Sequence, residues 1–349
     1  AAVCVLGLVV VGCAKPAPTP TPAPTPTPKP TPTPKPAPPK VKPTVLKFAT
    51  SLAPGDPKGK MLEKFCTDVK KESKGQLEVQ YFPAQTLYKL GNALAESQAH
   101  CADLVLVAVQ YFPKDIPIEE TLNSGTAFFT TDYKKIDKLM RESAPLINKL
   151  EFNKLGLRIV FSCPIGPQYC WFKKPLTKLE DWKGLCFKAP GSLKPAVTAL
   201  GATPVAVKAP EMYMALQRGT IDGIQAATDY VYSLKLYEVA PYMVDYVLII
   251  PTYRIVTQVD TWNSLPEDLQ RVLTKCGIET QTKAHEMIWG RDKELLKEFV
   301  DKGQLQVYHL PDAERSRWNA IVYPIMRKGP LSHEAEAPEV MKLIKKYSD

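Results

Sequence analysis

None of the eight cysteines is spaced as Cys-x-x-Cys, and the four histidines are scattered. That excludes the usual zinc clusters, whose ligands come in closely spaced pairs. His-Glu-x-x-His, Gly-x-Ser-x-Gly and Gly-x-Gly-x-x-Gly are all missing, which removes the familiar metalloprotease, hydrolase and dinucleotide signatures. The stretch GDPKGKM at 55–61 approaches a phosphate loop but is one residue short and lacks the Ser or Thr that would hold magnesium. It reads as a loop entering a helix. There is no basic stripe interleaved with aromatic residues, so nucleic acid is not an expected partner. Glu211 and Asp222 have structural roles as carboxylates at a helix start and in a tight turn. Nothing here calls for an enzyme, a cofactor or a metal.

The N-terminal region has a distinct composition. Residues 1–12, AAVCVLGLVVVG, are apolar and uncharged, and 12 residues fall short of the ~20 that span a bilayer. They fit part of a lipoprotein signal, and Val10-Val11-Gly12-Cys13 resembles a lipobox in which Cys13 carries the lipid. Residues 13–44 then form the lipidated cysteine and a Pro/Thr-rich stalk. Its residues 16–43 hold 14 of the 34 prolines and no acidic residue. Proline at alternate positions removes amide donors and fixes φ, so polyproline II is expected, as a spacer or, alternatively, a ligand for a partner domain. Lys15, Lys29, Lys35, Lys40 and Lys42 supply +5 of the formal +9, leaving +4 for residues 44–349. Lysines beside anionic lipid headgroups account for that bias. Cys66, Cys101, Cys163, Cys170, Cys186 and Cys276 remain, an even number that permits disulfides in an exported chain, although several sit in apolar strands.

From Val45 strand and helix signals alternate. VLKFATS, QLEVQYF and ADLVLVA read as strands separated by helices at 60–75 and 92–100, with a long helix over 133–155 and a strand at LRIVFS. A second series follows: YCWFKKPL, LCFKAPG, TPVAV, TIDGIQAA, YMVDYVLII and RIVTQVDTW as strands, with helices at SLKPAVTALG and EMYMALQRG. Residues 266–299 read as one long helix. The pattern predicts an α/β protein with parallel sheets, two lobes, a central cleft and a long bridging helix. The expected division is 45–165 plus 252–290 for lobe I, 166–251 plus 291–328 for lobe II, and a C-terminal tail at 329–349.

The stretch LGATPVAVKAPEMYMALQRGTIDG, with Gly201, Ala202, Pro204, Glu211, Tyr213, Ala215, Leu216, Gln217, Gly219, Asp222 and Gly223, resembles the solute-binding proteins of tripartite ATP-independent periplasmic (TRAP) transporters, DctP family. KKPLTKLEDWKGLCFKAPGS and WNSLPEDLQRVL add to the likeness, which covers roughly residues 45–328. The resemblance implies a two-lobed periplasmic-binding-protein-like fold. It implies capture of a small organic acid and delivery to TRAP membrane subunits, from the periplasm or extracytoplasmic face. Alternatives are the receptor of an ATP-driven importer or for a neutral solute and, more remotely, a stalked cell-surface enzyme.

Two family positions differ here. The carboxylate-binding Arg on the strand after Lys-Gly-Leu is Lys188, and a second Arg falls near Gln168. Lys and Gln leave one positive charge and no bidentate fork. Ser51 on the first strand and the apolar Ala108-Val109 on the third take other contact positions, while Tyr111, Tyr169, Trp171 and Tyr230 are candidate aromatic walls or ordinary core. The expected ligand is a monocarboxylate with an apolar or aromatic body, its charge answered by Lys188. If Asp229 paired with Lys188 instead, the site would be neutral.

Overall fold

The computed structural model describes residues 42–125, 129–208, 211–332 and 335–348, together with Ala1, Gly7, Gly12 and Ala17. The segment expected as a lipoprotein signal, Cys13 and nearly all of the segment expected as a stalk therefore lie outside the described residues.

Two sheets organise the chain from residue 42 onward. The first contains β1 (Thr44–Ala49), β2 (Leu77–Phe82), β3 (Leu104–Ala108), β4 (Leu157–Pro164) and, later in the chain, β10 (Thr252–Gln258), in the order β2-β1-β3-β10-β4. The second contains β5 (Gln168–Phe172), β6 (Cys186–Lys188), β7 (Thr203–Val205), β8 (Gly223–Ala227), β9 (Tyr242–Ile249) and β11 (Gln306–Tyr308), in the order β11-β9-β5-β8-β6-β7. Each sheet is the centre of one α/β lobe. Strand β3, LVLVA, is buried at every position, as a central strand covered on both faces must be.

The sheets are mixed, not parallel as expected. β10 runs antiparallel to β3 and β4, and β5 runs antiparallel to β8 and β9. The reason is the route of the chain. β5 follows β4 within a few residues and β10 follows β9 in the same way, so each arrives from the other lobe. Each enters its new sheet where that sheet's parallel strands end, with Gln168 beside Ala227 and Tyr253 beside Ala108. A strand entering at that edge can only run back against its neighbours. The two crossings touch: the Ile165 amide donates to the Pro251 carbonyl at 2.9 Å.

Helices cover the sheets. Asp56 accepts a hydrogen bond from the Lys58 amide at 2.8 Å and caps α1 (Pro57–Glu72), with Pro57 in the first turn. The helix thus begins three residues before the expected start at Lys60. Phe65 on α1 packs edge-on against Phe48, with ring centroids 6.0 Å apart, and against Phe161 at 4.8 Å. Burying each such ring contributes roughly 1.5–3 kcal/mol. α2 (Ala93–Gln98), α3 (Pro117–Gly125) and α4 (Tyr133–Leu150) complete the first series, and α5 (Lys194–Ala199), α6 (Met212–Arg218) and α7 (Thr228–Ser233) belong to the second.

Gly219 follows α6 with φ 76°, so the sharp turn out of that helix uses the left-handed region where glycine costs least. Asp222 is structural, as its turn position suggested. Its carboxylate accepts from the Cys186 amide at 2.8 Å, while its own amide donates to the Cys186 carbonyl at 2.7 Å.

After α8 (Val259–Ser264), α9 (Glu267–Asp301) runs unbroken for 35 residues. At 1.5 Å per residue that is about 50 Å. Leu269, Leu273 and Cys276 pack in the core of the first sheet, and Phe299 packs with Trp171 and Ile224 on the second. This is the bridging helix.

α10 (Asp312–Ser332) and α11 (Pro338–Tyr347) close the chain. The segment expected as a C-terminal tail thus contains a packed helix. Val340, Met341 and Ile344 of α11 are buried in the same core as Ile136 and Met140 of α4. No helix among the described residues is long and apolar enough to cross a membrane.

Candidate ligand-binding site

In α/β sheets a ligand site forms beyond the C-terminal ends of parallel strands. Here β1, β3 and β4 end at one edge of the first sheet, and β6 and β8 end at one edge of the second. The chain crossings join those two edges, so the residues just past the strand ends face one cleft.

Most of the expected residues stand at or just past these strand ends. Ser51 lies in the loop after β1, and Tyr111 follows β3 and is 57% exposed. Gln168 begins β5 beside Ala227, Lys188 ends β6, and Asp229 and Tyr230 stand in the first turn of α7. Burial raises the Tyr230 pKa above its ordinary value, and the neighbouring Tyr111 adds to the shift.

Two of the proposed aromatic walls are otherwise engaged. Trp171 is fully buried, donates its indole N–H to the Ala226 carbonyl at 3.0 Å, and packs with Met212 and Leu216. It sits deep in β5 on the face covered by α6 and is core, not cleft wall. Tyr169 donates its hydroxyl to Asp292 on α9 at 2.9 Å, tying β5 to the bridging helix. Burial raises the Asp292 carboxyl above the usual carboxylate range. Ala108 and Val109 are likewise fully buried.

The charged groups decide the character of the cleft. Lys188 is partly buried, burial lowers its pKa, and no carboxylate among the described residues pairs with it. Asp229 does not neutralise Lys188, the alternative that would have made the site uncharged. Its carboxylate accepts from the Lys58 ammonium at 2.7 Å, a contact that runs from α1 on the first sheet to α7 on the second.

Lys58 was missed in the sequence because it was placed in a loop. The signal that could have found it is Asp56-Pro57, an N-cap followed by proline, which puts Lys58 in the first helical turn. Burial pulls the Lys58 pKa down, and Asp229 with Asp56 more than reverses it, leaving the group above its ordinary value. Gln110, two residues past β3, also escaped notice, and its buried amide oxygen has no hydrogen-bond partner.

Cys66, Cys101, Cys163, Cys170, Cys186 and Cys276 are all free thiols, so none of the permitted disulfides forms. Burial places Cys66, Cys163 and Cys170 inside apolar layers, where they behave as small hydrophobes. Among the described residues there is no group of three or more His, Cys, Asp or Glu side chains arranged to hold a metal.

Residues 48–329 match the family described as bacterial extracellular solute-binding protein, family 7 (DctP). The chain belongs to that family. This DctP-family chain is 26% identical over 289 residues to the C4-dicarboxylate-binding periplasmic protein DctP of Rhodobacter capsulatus, covering 81% of this chain and 86% of that one. Among solved structures, the fold is shared with a Bordetella pertussis extracytoplasmic solute receptor binding pyroglutamic acid. That match has a TM-score of 0.74 and 20% identity, and covers 86% of this chain and 99% of that one. A TRAP periplasmic solute-binding protein of Desulfovibrio salexigens with bound orotic acid superposes with a TM-score of 0.75 and 24% identity, covering 87% and 98%. The DctP-family protein is therefore a TRAP-type solute-binding protein of periplasmic type, built as two lobes around a cleft.

Proposed function

We propose that this protein captures a small organic acid, with one carboxylate and an apolar or aromatic body, and delivers it to TRAP membrane subunits. The carrying observation is Lys188. A partly buried ammonium without a carboxylate partner among the described residues stands at the edge where the sheets meet, and an unpaired buried charge is costly until an anion arrives. The commitment of Asp229 to Lys58 supports the acid over the neutral solute. The relatives' ligands agree in class, since a dicarboxylate, pyroglutamic acid and orotic acid are all organic acids.

In this reading Lys188 forms the ion pair with the ligand. Ser51 and Gln168 donate neutral hydrogen bonds, and Tyr111, Tyr230 and the outer part of Tyr169 wall the ligand body. The lobes, 45–165 plus 252–290 and 166–251 plus 291–328, close by a hinge at the two crossings, and closure alters the surface offered to the membrane subunits. Lipid on Cys13 anchors the protein, and residues 14–44 hold the lobes off the surface.

The test has two steps. Native mass spectrometry of the purified protein identifies a copurified acid, and calorimetry measures its affinity for wild type and for Lys188→Met. The expected loss is about 2–4 kcal/mol, with Lys188→Arg retaining more affinity than Met. Undiminished binding to Lys188→Met would replace the acid with an uncharged solute.

A further inference from the structure

Two lysines reach the edges that face the cleft, one from each lobe. Lys188 ends β6 in the second lobe, and Lys58 opens α1 in the first. The resemblance led to an expectation of one positive charge, but the fold supplies two.

The two ammonium groups stand in opposite situations. Lys188 has no carboxylate partner among the described residues. Lys58 is buried, and Asp229 holds it at 2.7 Å, with Asp56 farther away at 3.7 Å. Asp229 is the second residue after β8, and Lys188 ends the strand next to β8, so both lie at one edge of one sheet. The Asp229 side chain is still half-exposed despite its ion pair, so its carboxylate stays at the cleft surface.

A carboxylate that reaches across a ligand cleft to a buried cation does what a ligand's own carboxylate would do there. A second ligand carboxylate arriving at Lys58 would have to displace Asp229, which is covalently held at the site and so has a high effective concentration. It would also leave the displaced Asp229 beside it, a like charge at short range. We propose that Asp229 is a built-in substitute for a second ligand carboxylate, pairing with Lys58 across the cleft and restricting the site to acids with one negative group. This rests on the organic-acid reading above and adds the basis on which that site selects its ligand. Removing the Asp229 charge leaves Lys58 only the looser pair with Asp56 at 3.7 Å, and opens the ammonium to a ligand.

The experiment uses the whole chain and matched acids, butyrate against succinate and phenylacetate against phenylsuccinate, titrated by calorimetry. The quantity read is the ratio of dicarboxylate to monocarboxylate affinity, which a general loss of lobe contact leaves unchanged. Wild type is expected to favour the monocarboxylate by at least about tenfold, and Asp229→Asn to shift the ratio toward the dicarboxylate by about tenfold or more. The exchange Lys58→Asp with Asp229→Lys restores the pair in reverse, and is expected to return the ratio to within about threefold of wild type. A ratio that Asp229→Asn leaves unchanged, while Lys188→Met still weakens acid binding, overturns this inference and leaves the organic-acid reading standing. If none of the acids binds any form of the protein, the organic-acid reading falls and this inference falls with it.

Discussion

Arg254 and Glu119 form a two-bond ion pair in which neither side chain is exposed to solvent. Arg254 Nε donates to Glu119 Oε1 at 2.7 Å and Nη2 donates to Oε2 at 2.9 Å, while Nη1 donates to the Met140 carbonyl at 3.1 Å. The pair ties α3 to β10, the strand that has just returned from the second lobe. Breaking one half strands a buried charge. Glu119→Ala is expected to destabilise the protein by about 3–5 kcal/mol in urea unfolding, and Glu119→Ala with Arg254→Met to cost less than Glu119→Ala alone. A single variant as stable as wild type would refute the buried-charge account.

The depressed Lys188 pKa sets a pH dependence with a definite sign. In the free protein, the unfolded chain holds the Lys188 proton to higher pH than the folded chain. Between the lowered value and 10.5 the unfolded state therefore binds more protons, and this group's contribution makes stability rise with pH. Affinity for an acid runs the other way, because the ammonium is the form that binds. It should fall as pH rises through the lowered value, before an ordinary lysine would titrate. Calorimetry from neutral to alkaline pH checks this, and in Lys188→Arg the fall should be absent.

Two glycines lie where a side chain would strain the backbone. Gly219 has φ 76°, and Gly219→Val should destabilise the protein by about 1–3 kcal/mol. Gly166 has φ 109° in the first crossing, and a Cβ there would lie 2.8 Å from Ile288 Cγ2 on the bridging helix. Gly166→Ala should therefore lower the melting temperature and, because the crossing is the proposed hinge, also weaken ligand binding. Gly219→Val should affect stability more than affinity. Equal effects of both on affinity would argue against a hinge at Gly166.

The thiols should divide by exposure. Burial pushes Cys66 and Cys163 up to about 12 and Cys276 up to about 11, whereas Cys101 and Cys186 are partly exposed. In a form cut to begin at Lys42, a thiol reagent at neutral pH should label Cys101 and Cys186 first. The other four should react only on unfolding. Rapid labelling of Cys163 would contradict its burial beside β10.

Residues 42–349 cluster as one unit, which holds every residue named at the candidate site. Deleting residues 14–43 should accordingly leave ligand affinity unchanged, and a loss of about tenfold would make the stalk part of the binding unit.

Most strands, helices such as α1, α4 and α6, and the bridging helix were readable from the sequence because each is written locally, whereas α3, α7, α10 and α11 were not. LVLVA shows a buried strand, the apolar spacing of Met212, Ala215 and Leu216 shows a helix face, and Gly219 marks a helix end. The sheets' mixed direction was not readable. Alternation of strand and helix gives the order of elements, and the direction of β5 and β10 depends on the chain having changed lobes before each.

The same limit applies to the cleft. Position 188 could be placed from the residues around it, because Lys-Gly-Leu-Cys-Phe-Lys is one continuous segment. The fate of Asp229 could not, since its partner lies 171 residues away on α1, which packs against the other sheet. Trp171 is an aromatic residue near a predicted site, and only its direction from the sheet shows it to be core. By itself the sequence determined the local elements, the family and the presence of one cationic strand end. The tertiary structure decided which charges meet, because an ion pair depends on distance through space, and the folding of two lobes onto each other sets that distance.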